Sequence, residues 1–587
     1  MRLAAAGGAS VAERPGPALE FPSPARTIAL YAALPLVASA VGLLALGGTA
    51  VGVARFLPLA VVDVSLSFLR MTAAYAASLG FALAYGYYAA THRTGERVMI
   101  PILDVLQSVP ILGFFPVAIY FFVDLTPAVH WLGPNLASVF LIFTSMAWNM
   151  VFGVYESLKT LPAELKEASD AFGLKGGLRF RRVLFPATVN RLVYNSVLSW
   201  TGGWFFLVEA EIFTTNTSPL AGIGSYLSFA ASTGNLDKFL AGVIVLAIVI
   251  ALLDFLLWRP LGRYAERFRY DTSPSGEGEV VAPVRETGGR FRRAAAYVTR
   301  GVRTSVSLIS TPLVQLASIT VRPVRKPTEF QRSVFYYLAL GAILVVVWLM
   351  MIAITVSVFR IFTGPISSSV RHQILLLPLA MGASTARIAV AYLICLAVAL
   401  PLAILVARGP RASRVGLPII EVVASFPATA LFPVIVFELI PYIGPEGAAI
   451  LMLLTGMIWY LFFNLLAGVR SLAPDLEEAA RSFGLGRRQF FRRVLFPGLF
   501  PALVTGSITA FGGGWNTLIV AEYLNVGSVH TLSVLGIGQQ IDIGYAEAGG
   551  LPLMVAALFT LVATVLVINE LLWKPMYRRA AERFRYD

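Results

Sequence analysis

The sequence predicts an all-α polytopic membrane protein of about 12 transmembrane helices, made of two tandem six-span units, and three observations carry that expectation. Of its 587 residues, 57% are hydrophobic and only 13% charged, too apolar a balance for a soluble chain. Apolar runs near the length of a bilayer core recur throughout it. Finally, Glu164 to Pro186 aligns on Asp475 to Pro497 without a gap at a single offset of 311, so the chain is a duplication.

In chain order, residues 1–26 are rich in Ala, Gly and Pro, carry Arg2, Arg14 and Arg26, and show no apolar period, which reads as a cytoplasmic tail. The first unit, 27–271, holds runs at about 27–48, 66–90, 98–122, 136–158, 188–210 and 239–258. Ala38-Ser39-Ala40 resembles a signal-peptidase site, but the surrounding run is long enough to span, and it is read as an uncleaved first span. The second unit, 333–587, repeats the pattern at about 334–358, 380–405, 413–437, 447–470, 503–521 and 551–573. Arg70, Tyr75, Pro101, Pro110 and Pro116 recur 317 positions later as Arg387, Tyr392, Pro418, Pro427 and Pro433. Trp148, Trp204 and Glu211 recur at offset 311 as Trp459, Trp515 and Glu522. An even number of spans per unit gives both copies one orientation, related by an axis along the membrane normal, and a pathway between them follows.

Basic residues concentrate in alternate polar segments: Arg93 and Arg97, then Lys166 to Arg182, then Arg259 to Arg269 in the first unit. The positive-inside bias therefore places these segments and both termini in the cytoplasm of a cell whose inner or plasma membrane holds the chain. Between the units, 272–332 turns from a Ser/Gly/Glu stretch into a basic one, and Phe291, Ala295, Val298, Val302, Val306, Ile309, Leu313 and Leu316 keep helical spacing. That suits a helix lying on anionic lipid, against the alternative of an unstructured tether.

The net charge of +14 sits in these segments and so points to lipid rather than nucleic acid. Cys395 is the only cysteine and His92, His130, His372 and His530 are scattered, so neither a disulfide nor a metal site is expected. No Gly-Lys dipeptide occurs, hence no P-loop, and ATP and Mg can act only on another chain.

The duplicated stretch reads as a short helix, a turn and a second helix. Pro162 and Pro474 suit the helix start, and Gly173 and Gly484 the left-handed residue past its end. Leu165, Ala168, Ser169 and Phe172, like Leu476, Ala479, Ala480 and Phe483, fall at i, i+3, i+4 and i+7 and form a face with small residues at its centre. Glu478, Ala479, Ala480, Gly484, Val494 and Pro497 carry the spacing of a known signature, and Glu167, Ala168, Ser169 and Gly173 match it with Ser for the second Ala. In this the chain resembles the membrane permeases of binding-protein-dependent ABC importers. The resemblance implies that each loop docks into a groove of an ATP-binding-cassette subunit, two in all, and that an extracytoplasmic solute-binding protein delivers a small solute. Glu167, Ala168, Ser169, Phe172, Gly173, Glu478, Ala479, Ala480, Phe483 and Gly484 would then couple ATP hydrolysis to transport, and the chain itself would be no enzyme. Trp204 and Trp515, each followed by Ala-Glu six residues on, with Gly222, Gly224, Gly536 and Gly538 downstream, look most like permeases for nitrate, sulfonate, taurine or bicarbonate.

Charge at membrane depth costs at least about 2.5–3.5 kcal/mol, so Glu211 and Glu522 call for a reason. With Trp204 and Trp515 they either line an outer gate or bond across the two halves, or else form a solvated helix end beside core packing, which is the plainer reading. Gln107, Ser108 and Ser425 place small polar groups beside prolines, where they line a pathway or bond neighbouring helices. Arg70 and Arg387 are expected to snorkel toward the interface. Gly202-Gly203 and Gly512-Gly513-Gly514 mark a kink or a close helix contact. The rival class is a twelve-span secondary transporter driven by an ion gradient, which would need titratable groups nearer mid-membrane.

Overall fold

The computed structural model describes residues 50–268 and 367–583, except 127, 175, 216–219, 410–411, 473, 527–529 and 548. The tail, the runs at 27–48 and 334–358, and the linker with its amphipathic stripe lie outside the described residues, as does Lys175. Among the described residues, seven helices are long and apolar enough to cross a membrane.

In the first unit α1 (Ala50–Thr91) and α4 (Leu132–Lys159) pack side by side, and α6 (Phe185–Thr215) lies against α4. Between α1 and α4 come α2 (Arg93–Ser108) and α3 (Phe115–Leu125); α5 (Ala163–Ala171) precedes α6, and α7 (Ile223–Ser232) and α8 (Leu236–Leu253) close the unit. The second unit repeats this with α9 (Ser368–Arg408), α10 (Leu417–Ser425), α11 (Ile440–Arg470), α12 (Pro474–Ser482), α13 (Phe496–Glu522), α14 (Ile537–Ala546) and α15 (Leu551–Ile568).

The duplication is visible residue by residue in the cores. Along α1 the buried stripe is Ala60, Val64, Ser67, Met71, Ala74, Ser78, Ala82, Gly86 and Ala89. Its positions 317 residues later, Leu377, Met381, Ser384, Ile388, Ala391, Cys395, Ala399, Ala403 and Val406, are all buried on α9. Small residues at three- and four-residue spacing let helices approach closely where lipid supplies no hydrophobic drive. Even the bond across the helices is kept: Ser78 Oγ donates to the Phe143 carbonyl at 3.2 Å, and Cys395 Sγ to the Leu454 carbonyl at 3.7 Å. The glycine runs resolve as close contact, since α6 and α13 continue unbroken through them. A Cβ at Gly203 would meet Met146 Cε at 2.3 Å, and one at Gly513 the Gly456 carbonyl at 2.4 Å.

The third apolar run of each unit is not one helix. Val109 and Phe426, each preceding a proline, take extended backbone with ψ of 127° and 131°, as the proline ring demands of its predecessor. After each proline come a 3₁₀ turn, Ile111–Phe114 or Ala428–Leu431, and a new helix with Pro116 or Pro433 in its first turn. Among the described residues, one antiparallel strand pair departs from the expected all-α fold: Tyr523–Val526 pairs with His530–Ser533, Leu524 opposite Leu532, both buried.

These breaks join the two units. The Ile111 amide donates to Asn516 Oδ1 on α13 at 2.7 Å, and reciprocally Thr429 Oγ1 donates to the Phe205 carbonyl on α6 at 3.2 Å. Phe205 and Asn516 are equivalent at offset 311, so each 3₁₀ turn grips the same place on the opposite half. Phe205 meets Phe432, and Phe213 meets Tyr545, across the same interface.

Candidate functional site

The duplicated loops fold as their punctuation dictates. Gly173 and Gly484 take φ of 65° and 63°, a region that disfavours any Cβ, and among the described residues nothing beyond their chain neighbours lies within 4 Å of where the Cβ would stand. Behind each turn the helix closes alike: Leu174 N donates to the Ser169 carbonyl and Leu485 N to the Ala480 carbonyl, both at 3.0 Å. The face with small residues is divided. Ser169 and Ala480 are 2% and 4% exposed and pack inward, whereas Glu167, Ala168, Glu478 and Ala479 are exposed. Ser169 and Ala480 are therefore largely withdrawn from solvent, although Ser169 still contributes to the groove beside Phe172. Phe172 and Phe483 stand 81% and 83% exposed, an arrangement that leaves a large aromatic ring in each loop free for another surface. In the first loop Leu165, Ala168, Ser169, Phe172, Leu174 and Val183 line a groove of about 150 Å³.

The conspicuous membrane charges pair within each half. Glu211 is fully buried and accepts from Arg70 Nη1 at 2.6 Å, from Ser67 Oγ at 2.7 Å and from the Gly224 amide at 2.8 Å. Glu522 repeats the set with Arg387, with Ser384 at 2.6 Å and with the Gly538 amide at 2.8 Å. Each serine also accepts from the next amide, Ile223 or Ile537, at 2.8 and 2.9 Å. The carboxylates thus sit at the positive N-termini of α7 and α14 and satisfy donors that would otherwise be orphaned. Gly222 and Gly536 make room, because a Cβ at either would meet the carboxylate within 2.3 Å. Arg70 and Arg387 do not snorkel; burial beside a carboxylate and a main-chain carbonyl, Ala221 or Leu535, holds each inside. The halves differ in the remaining partner: Arg70 Nε meets Asn135 Oδ1 at 2.7 Å, while Arg387 meets both oxygens of Glu446, the position equivalent to Asn135.

The other expected pathway residues separate. Trp204 and Trp515 are core residues, 1% and 3% exposed. Glu211 and Glu522 are enclosed as well, so none of these four is exposed, and donors inside each half claim the two carboxylates. Gln107 is exposed near the end of α2, before the break at Val109, and Ser425 Oγ donates back to the Val422 carbonyl at 2.8 Å. Ser108 lies in the last turn of α2. Instead, the space between the halves is lined by residues outside the expected pathway set, Glu209 and Asp542 among them.

Comparison with known proteins matches this layout. The family model described as "Binding-protein-dependent transport system inner membrane component" matches twice, over residues 76–258 and 399–572. The glycine betaine/proline betaine transport system permease protein ProW of Escherichia coli is 28% identical over 169 residues, 29% of this chain and 46% of its own. The nitrate import permease protein NrtB of Leptolyngbya laminosa is 30% identical over 147 residues, 25% of this chain and 52% of its own. The taurine transport system permease protein TauC of Escherichia coli is 31% identical over 144 residues, 24% of this chain and 51% of its own. The chain thus spans about half the length of the curated relatives it matches. With the matched segments covering both units and membrane-length helices throughout, the chain is a multi-pass inner-membrane protein, and it belongs to the family of binding-protein-dependent transport system inner membrane components, whose domain it carries twice.

Proposed function

We propose that this chain is the translocation subunit of an ATP-driven ABC importer, its two fused units forming one pathway for a small solute. The observation that carries the reading is the repeated loop: twice the chain builds a capped short helix and leaves its Ala and Phe exposed, as a surface meant for a partner requires. Glu167, Ala168, Phe172 and Gly173, with Glu478, Ala479, Phe483 and Gly484, form the contact with two ATP-binding subunits, while Ser169 and Ala480 support it from within. ATP and Mg act on those subunits, and an extracytoplasmic binding protein supplies the solute. Nothing in the family match favours the ion-gradient alternative.

The test is cross-linking from a single cysteine at Ala168 or Ala479 in a Cys395→Ser background. Each should cross-link to an ATP-binding subunit in native membranes, and failure from both positions would remove the coupling assignment. The same background tests the orientation: a cysteine at Arg487 should be labelled from the cytoplasm and one at Lys238 from outside, and the reverse at either would refute the proposed topology.

A further inference from the structure

Glu209 stands two residues before Glu211 on α6, and the contrast between them is informative. Around Glu211 the fold gathers an arginine, a serine and an amide; around Glu209, which is 1% exposed, neither carboxylate oxygen has a hydrogen-bond partner among the described residues. A buried acidic group without a donor is destabilising, and the fold shows two residues away how it satisfies one when the role is structural. Glu209 lines the cavity between the halves, and so does Asp542 from α14, itself 8% exposed.

Both acids depart from the duplication. The equivalent of Glu209 is Val520 and that of Asp542 is Ser228. Val520 lines the same cavity, so the cavity sits where the equivalent faces of α6 and α13 converge, and acidity enters it from only one member of each pair. Two separate breaks of the repeat meeting in one space point to a ligand there. No Lys or Arg is among the described residues that line it, whereas Phe115, Phe213 and Tyr523 are. Carboxylates with aromatic rings and no cation form a setting for a positive charge. The space is about 10 Å³, that of one water-sized group, which fits an ammonium.

We propose that this cavity binds a cationic group, so that the transported solute carries an ammonium, as an amine or a zwitterion, and is not a simple anion. The inference rests on the reading of the chain as a permease. An anion such as nitrate would find two acidic side chains and no Lys or Arg among the described residues of the lining, while a zwitterion could set its ammonium between the acids.

The test uses the full chain with its ATP-binding subunits in lipid nanodiscs, titrated calorimetrically with methylammonium chloride, taurine, sodium nitrate and sodium chloride. Methylammonium or taurine should bind saturably, and Glu209→Gln and Asp542→Asn should each weaken that binding by about tenfold or more. Two positions are used so that poor assembly of one variant leaves the other to decide. Sodium binding lost in the variants, without ammonium binding, would assign the cavity to an inorganic cation and overturn the solute class. Nitrate binding more tightly than chloride in the wild type, ammonium binding unchanged in both variants, or no saturable binding would overturn the proposal. Co-purification of the ATP-binding subunits is read on the same samples: its absence from the wild type would indict the permease reading itself, and its presence isolates the failure to the cavity.

Discussion

Glu211→Ala is expected to destabilise the first unit by about 3–5 kcal/mol, the cost of stranding one member of a buried ion pair. The substitution leaves the Arg70 guanidinium with Asn135 and the Ala221 carbonyl but no countercharge among the partners described above, and it orphans the Gly224 amide at the start of α7. Glu522→Ala should cost less, because Arg387 keeps both oxygens of Glu446. Thermal unfolding of the solubilised protein should therefore rank wild type above Glu522→Ala above Glu211→Ala. Equal stability of all three would refute the view that these clusters hold each half together. Gly222→Val should behave like Glu211→Ala, since its Cβ would fall on the carboxylate carbon.

Ala479→Trp is expected to leave the protein folded and inserted yet reduce coupled transport at least about tenfold, because the bulk falls on an exposed face that must fit a partner. Ala480→Trp should differ, since that position is buried and overpacking would disorder the loop itself. Gly484→Val forces a β-branched residue to φ of 63°, a strain of roughly 1–2 kcal/mol concentrated in the turn that aims Phe483. ATPase pull-down and uptake separate the cases: Ala479→Trp should lose both with normal expression, and normal docking and uptake would sink the assignment. Because one pathway serves both halves, Ala168→Trp should reduce uptake as strongly through the other loop.

The helices and the duplication were legible because apolar length and a fixed offset are local properties of the chain. The left-handed glycines were legible for the same reason, since a turn records its own backbone requirement. The fate of Arg70 was not. Sequence placed it early in a span, where snorkelling is the usual outcome, and only the packing of α1 against α6 reveals Glu211 beside it. Ser67 and Ser384 carried a usable signal, an identical residue at offset 317 three positions before a repeated arginine, but a serine in an apolar helix is otherwise unremarked. The hairpin at Tyr523 was hidden because four-residue strands have no period to read. Glu209 is readable as a departure from the repeat, since its match at offset 311 is Val520; its importance rests on being buried without a partner among the described residues, which no spacing predicts. Asp542 in place of Ser228 was readable as a second departure from the repeat, yet its convergence with Glu209 on one cavity is a tertiary fact.

The central claim, an ATP-driven importer permease with two coupling loops, is tested most directly by uptake into proteoliposomes holding this chain and its ATP-binding subunits. The solute is the one retained by the co-purified binding protein and identified by mass spectrometry. Uptake should require ATP and the binding protein, persist after ionophores collapse all ion gradients, and fall at least about tenfold with Trp at either Ala168 or Ala479. Uptake by the chain alone, driven by an ion gradient and indifferent to both substitutions, would contradict it.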